Sequence, residues 1–358
     1  MKYLFVVQGE GRGHMTQAIT LENLLTERGH EVVGILVGKS PSRQLPDFFV
    51  NSVKAPIHQY ESINFQPSSS GRKPSKMKTA FASLILHRYL PSIRFIKKTI
   101  KSSGADVVVN FYEPLLGITY LIHRIRVPQI AIGHQYLFLH EAFGMPYSHF
   151  PEAVGLNYFS KRSCHGAVKK LALSFCDMPV DKNHKIKVVP PLLRPALREL
   201  KPYDGNYILG YMLNSGFSKD VMEWHEKHPE TSLRFFWDNW SAGPVKVVDD
   251  TLSFHLIDDK EFLRQMEGCH AYSSTAGFES VCEAMYLGKP ILMVPSHIEQ
   301  EINAFDASRN GAGVSASEFD ISKLLTFAET YKPVESFRAW ADSASERFIF
   351  ELEHPSEL

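Results

Sequence analysis

Several things that would sort a chain quickly are missing from this one. Charge of one sign is the first: 39 lysines and arginines stand against 39 aspartates and glutamates in 358 residues. A balanced chain has no global field to draw it onto nucleic acid, so no nucleic-acid partner is expected. Cysteine is scarce too. Cys164, Cys176, Cys269 and Cys282 show no C-x-x-C spacing, which argues against a zinc knuckle or a disulfide framework and fits the reduced thiols of a cytoplasmic protein. Long apolar runs are absent from the N-terminus, where residues 1–7 turn polar at Gln8, too short a stretch for a signal peptide or a bilayer span. His140-Glu141 and His225-Glu226 lack the second histidine of an H-E-x-x-H zinc site.

What remains is a soluble-type composition, 44% hydrophobic, long enough for two cores. Residues 3–7 read as a buried parallel strand. Gly9-Glu10-Gly11-Arg12-Gly13-His14 follows, then a helical pattern at Ile19, Leu21, Leu24 and Leu25, a Gly29 stop, and a second strand over residues 31–37. This is a βαβ unit, but its turn is G-x-G-x-G-H rather than G-x-G-x-x-G, and no acid ends the second strand. A nicotinamide cofactor is therefore disfavoured, and no other cofactor is expected. His14 sits where ligands meet such sheets; it is either a helix-start residue held by backbone or a base.

Residues 66–80, rich in Pro, Ser, Lys and Arg, read as a mobile loop. A helical stretch carries Phe81, Leu84, Ile85 and Tyr89, then Arg94, Lys97, Lys98 and Lys101. It is either a core helix with a solvated basic end or a contact for an anionic membrane surface. Residues 107–109 and 129–132 read as strands ending in polar residues, which makes Glu113, His134 and Gln135 cleft candidates. Residues 188–195 hold too many prolines for a helix and read as a linker.

A second α/β series follows, with strands over residues 207–213, 233–237 and 253–257 and a polar turn at Asn214-Ser215-Gly216. It leads to Thr275-Ala276-Gly277, small residues that leave amides open to an anion at a helix start. Glu283 comes about two turns later, then Gly288-Lys289-Pro290, an apolar strand, and Glu299-Gln300. That order suits a phosphate, a diol and a further polyol.

The chain resembles GT-B glycosyltransferases of the MurG-like, family 28-type branch, grouped with the UDP-glycosyltransferases. The resemblance rests on the glycine block with Arg28-Gly29-His30-Glu31-Val32, and on Gly277, Ser280, Glu283-Ala284, Gly288-x-Pro290, Pro295, Glu299-Gln300, Asn303-Ala304 and Gly311-x-Gly313. It implies two Rossmann-like parallel-sheet domains, residues 1–190 and 191–335, with a cleft between them. A C-terminal segment, residues 336–358, would cross back through Phe337, Trp340, Ala341, Ala344, Phe348 and Leu352. It also implies hexosyl transfer from a nucleoside diphosphate sugar, UDP-linked by resemblance, to a hydroxyl acceptor, with inversion and without a metal; no D-x-D occurs.

The implied donor contacts are Asn214, Ser215, Gly216, Thr275, Ala276 and Gly277 at the diphosphate, Glu283 at the ribose, backbone near Ile257 at the base, and Glu299 with Gln300 at the sugar. Gly11, Arg12, Gly13, His134 and Gln135 would face the acceptor, a glycan, lipid or small molecule. His14, or else Glu113, would be the base. Thr275-Ala276-Gly277 departs from the relatives' pattern, which has a histidine and paired glycines there. A nucleotide-sugar hydrolase and a non-catalytic binding protein remain the alternatives, and a cytoplasmic place, peripheral to the inner membrane face, is the expected location.

Overall fold

The computed structural model describes residues 1–41, 44–63, 86–147, 149–212 and 215–358. The loop over 66–80 and the helix residues Phe81, Leu84 and Ile85 lie outside them, as does Asn214. The chain forms two compact units: one runs to Arg194 and includes Trp340–Leu358, the other holds Pro195–Ala339.

The first unit is built on β1 (Lys2–Gln8), β2 (Glu31–Lys39), β3 (Ile57–Glu61), β4 (Val107–Phe111), β5 (Gln129–Ile132), β6 (Ala167–Leu173) and β7 (Ile186–Val189). Their order is β3-β2-β1-β4-β5-β6-β7, parallel throughout. The central strands are almost wholly apolar because helices cover the sheet. These are α1 (Arg12–Glu27), α2 (Asp47–Ser52), α3 (Leu90–Ser102), α4 (Pro114–Ile122) and α5 (Pro151–Ser163). Helix α1 stops at Gly29, whose φ of +77° lets its N–H and that of His30 reach back to Thr26 and Leu25 carbonyls at 3.0 and 2.9 Å. The linker expected from residue 188 begins later. Val188 and Val189 close the sheet as edge strand β7, and the prolines follow once pairing has ended, where a missing N–H costs nothing.

The second unit holds β8 (Ile208–Tyr211), β9 (Leu233–Trp237), β10 (Val245–Val247), β11 (Leu252–Leu256), β12 (Ala271–Ser274), β13 (Ile291–Met293) and β14 (Gly313–Ser315). The order is β10-β11-β9-β8-β12-β13-β14, with only β10 antiparallel. Its helices are α6 (Ser218–His225), α7 (Asp259–Gly268), α8 (Phe278–Tyr286), α9 (Ile298–Arg309) and α10 (Ile321–Ala328), with α11 (Glu335–Asp342) divided at Ala339/Trp340 between the second unit and the first. Phe235, Phe254, Leu292 and Leu324 centre its core.

The C-terminal apolar pattern, continuous in sequence, breaks at Ser343 into α11 and α12 (Ala344–Glu353). Helix α12 lies on the first unit's sheet. Lys169, fully buried on β6, donates to Glu351 Oε2 at 2.5 Å and to the His354 carbonyl at 2.8 Å. Lys187 on β7 takes the other Glu351 oxygen at 2.9 Å, and Trp340 Nε1 donates to the Ser174 carbonyl at 2.9 Å. A cation at a helix C-terminus also suits the helix dipole.

Candidate functional site

In open parallel sheets, ligands bind at the carboxyl ends of the strands where the strand order reverses. The reversal falls between β1 and β4 in the first unit and between β8 and β12 in the second. Most of the residues that the sequence singles out follow those four strands; His134, Gln135, Ile257, Glu299 and Gln300 follow β5, β11 and β13.

After β1, Gly9 is glycine for the protein's own sake: a Cβ there would lie 2.7 Å from Val37 Cγ1. Gly11 is different. It is the N-cap of α1 with φ −100° and no side-chain cap, and an added Cβ would meet nothing closer than 3.8 Å. Neither packing nor backbone requires glycine there. Arg12 lays its guanidinium over Phe48, 4.6 Å from the ring centre. Gly13 and His14 lie in the first turn of α1, with His14 Nδ1 3.5 Å from Gln17 Oε1. From across the reversal, the ring of Tyr112 stacks on His14, centroids 5.5 Å apart and planes 26° from parallel.

The other first-unit candidates belong to packing. Glu113 is fully buried, caps α4 by accepting from Leu115 N at 3.0 Å, and accepts from Ser62 Oγ at 2.5 Å. Burial pushes its carboxyl up to about 7, against the pull of those hydrogen bonds. The carboxyl is thus enclosed and engaged with its own helix start and Ser62 rather than exposed at the reversal. His134 and Gln135 are enclosed likewise. Both are buried in the 3-10 turn after β5, and His134 Nδ1 meets the Leu173 carbonyl at 2.7 Å while its ring packs on Phe138 and Phe175. The described residues bring one His/Asp/Glu trio close together, Glu141, Asp181 and His184. It closes a turn: the Asp181 carboxylate accepts from the backbone N–H groups of Glu141 and His184.

The second unit's reversal carries the donor candidates. Ser215 and Gly216 lie in the 3-10 turn that follows β8. After β12, Thr275 and Ala276 are buried, and Ala276 has φ +59°. Ser274 Oγ accepts from Ala276 N at 3.2 Å, and Asn303 Nδ2 on α9 donates to the Ala276 carbonyl at 3.2 Å. Gly277 then caps α8 with φ −68°, no side-chain cap, and nothing within 3.8 Å of an added Cβ. Here again neither the backbone nor packing calls for glycine, and the helix start is left open.

Glu283 lies six residues on in α8, 3% exposed. Ile257 directly follows β11 and is half-buried. The Glu299-Gln300 pair, read as the end of a strand, is the first turn of α9. Gln300 Oε1 is taken by Ser296 N and Oγ at 2.9 and 2.7 Å, which leaves its amide group to act as a donor.

Two residues escaped the sequence. His297, the N-cap of α9, is drawn below the usual histidine range by burial, against Glu299 and Glu301; its place between Pro295 and Glu299 was the available signal. Tyr112 has φ +59°, and nothing in sequence announces that.

A family model described as Glycosyl transferase family 1 matches residues 1–331. The glycotransferase of kitacinnamycin has a similar structure, with a TM-score of 0.68 at 14% identity over 99% of both chains. Phytolacca americana UGT2, solved with UDP-2fluoro-glucose and pterostilbene, gives 0.65 at 15% over 99% of this chain and 100% of its own. The calicheamicin glycosyltransferase CalG4 gives 0.63 at 16% over 99% and 98%. No curated protein sequence matches the chain.

Proposed function

The chain belongs to glycosyl transferase family 1 and has the two-domain GT-B fold, and from that premise we propose that this glycosyltransferase moves a hexosyl group from a UDP-sugar to a small-molecule hydroxyl, with inversion and without a metal. The observation that carries this reading is the uncapped start of α8 at Gly277, where amides and helix dipole suit a diphosphate. Glu283 takes the ribose hydroxyls, backbone at Ile257 the base, Glu299 and the Gln300 amide the sugar, and Ser215 with Gly216 the diphosphate's other side. UDP-2fluoro-glucose and pterostilbene in the Phytolacca enzyme support this choice of donor and acceptor. The Gly9–His14 and Glu299–Ala304 blocks support kinship with the MurG-like branch.

His14 is the base. With Nδ1–H turned to Gln17, Nε2 takes the acceptor's proton as its oxygen bonds to the anomeric carbon, and the diphosphate leaves with the electron pair of the broken bond. Calorimetry with UDP tests the donor half: Glu283→Ala should weaken binding by about 10-fold or more, as expected for a lost charged hydrogen bond. Unchanged affinity would remove the ribose role. Free sugar released without acceptor, as fast as transfer, would favour the hydrolase; binding with neither reaction would favour a binding protein.

A basic helical layer supports a peripheral contact with an anionic membrane. Helix α3 carries four lysines and arginines, residues 123–128 two and α5 two, against Glu152 alone. Lys97 Nζ lies 3.3 Å from His123 Nδ1 at the end of α4, beside Leu121 and Ile122, which are 48% and 47% exposed. No helix among the described residues is long and apolar enough to cross a membrane. Sedimentation with vesicles should show binding to anionic but not zwitterionic lipid, lost in Lys98→Glu/Lys101→Glu; equal binding to both lipids sinks the contact.

A further inference from the structure

We propose that Tyr112 is a positioning residue for His14, holding the imidazole over the first unit's strand reversal and stabilising it once it has taken a proton. The inference rests on His14 being the base. Tyr112 is the first residue past β4, whose Phe111 pairs with Val7 of β1, so it emerges at the reversal itself. Its φ of +59° belongs to the left-handed region, where a bulky aromatic is strained and glycine or asparagine is not. Packing explains an aromatic ring here, but not the choice of a residue that must be strained to deliver it.

The ring is fixed from several sides. Tyr112 is 4% exposed, its hydroxyl lies 2.7 Å from Ser160 Oγ, and Tyr136 and Phe159 press on it at centroid distances of 5.5 and 5.4 Å. One face is stacked on His14. The left-handed turn is what sends the side chain back across the reversal rather than along the strand.

The chemistry follows from the ring's negative face. Neutral imidazole gains little from it, whereas imidazolium is attracted to it. His14 becomes positive only as it removes the acceptor's proton, so the contact strengthens along the reaction and acts on kcat rather than on substrate binding.

Tyr112→Phe keeps the face; Tyr112→Asn removes it while tolerating the left-handed backbone. We expect Tyr112→Asn to lower kcat roughly 3- to 30-fold with KM for both substrates within about 2-fold, and Tyr112→Phe to restore most of the loss. The acid limb of the kcat/KM profile should move to lower pH in Tyr112→Asn, because removing a partner of the imidazolium makes His14 easier to deprotonate. The same displacement should be visible in an NMR titration of the His14 ring, a readout independent of turnover. In a His14→Ala background, Tyr112→Asn should have no further effect on kcat.

An equal loss in that background, or a raised KM with an unmoved acid limb and NMR titration, overturns the role of Tyr112 and leaves His14 as base. Wild-type turnover in His14→Ala alone overturns both.

Discussion

The two strand reversals are built alike and finished differently. Each sends a non-glycine residue into the left-handed region just past a central strand, Tyr112 after β4 and Ala276 after β12, both at φ +59°. Each then starts a helix, α4 or α8. In the first unit Glu113 turns its own carboxyl onto the Leu115 N–H, so a cap for the helix start is already supplied by the chain. In the second, Gly277 supplies none. The two helix starts thus differ in their capping residue, not in the fold that both share.

Three substitutions test that contrast. Gly277→Asp would install the first unit's solution in the second. An added Cβ meets nothing closer than 3.8 Å, so the cap should stabilise α8 by about 1 kcal/mol while UDP affinity falls on the order of 100-fold by calorimetry. A variant that is more stable and still binds would break the comparison.

The next effect concerns the carboxylate that the first unit keeps. Glu113 titrates at about 7 when folded and near 4.3 when unfolded, so the folded state holds a proton that the unfolded chain releases. That contribution is fully present below the unfolded value and is lost as pH rises through about 7, on the order of 3–4 kcal/mol in all. Glu113→Gln should flatten this part of the melting profile; parallel curves for the two proteins would show that Glu113 is ionised in its buried site.

The smallest change is Ala276→Gly, which relieves the second turn's left-handed strain. It should raise stability by about 0.5–1 kcal/mol, with UDP affinity within a few-fold. Lower stability, by denaturant titration, would mean that the Ala276 methyl packs for more than its strain costs.

Much of this architecture was legible. Residues 129–132 and 233–237 read as strands and are β5 and β9, because apolar runs bounded by turn residues identify strands covered on both faces. Strand β6 was not legible, since Lys169-Lys170 interrupts its pattern. Lys169 is buried there because Glu351, 182 residues away in sequence, comes to meet it. Among the candidate residues, Gly11, His14 and Gly277 lie at helix starts, as the pattern placed them, whereas Glu113, His134 and Gln135 carry a similar post-strand signal and are buried. A polar residue after a strand looks the same in sequence whether it faces a ligand, caps its own helix or ties down a turn.

The sequence by itself determined two α/β halves, the glycine-opened helix starts and the wider GT-B glycosyltransferase group; the family that the comparisons show is glycosyl transferase family 1. These depend on local periodicity, turn chemistry and residue spacing, all of which are written along the chain. Only the tertiary structure decided which strands adjoin at each reversal, that Glu113 closes one helix start while Gly277 leaves the other open, and that a strained Tyr112 reaches His14. Those outcomes depend on burial and on partners far apart in sequence, whose meeting is a property of the folded chain.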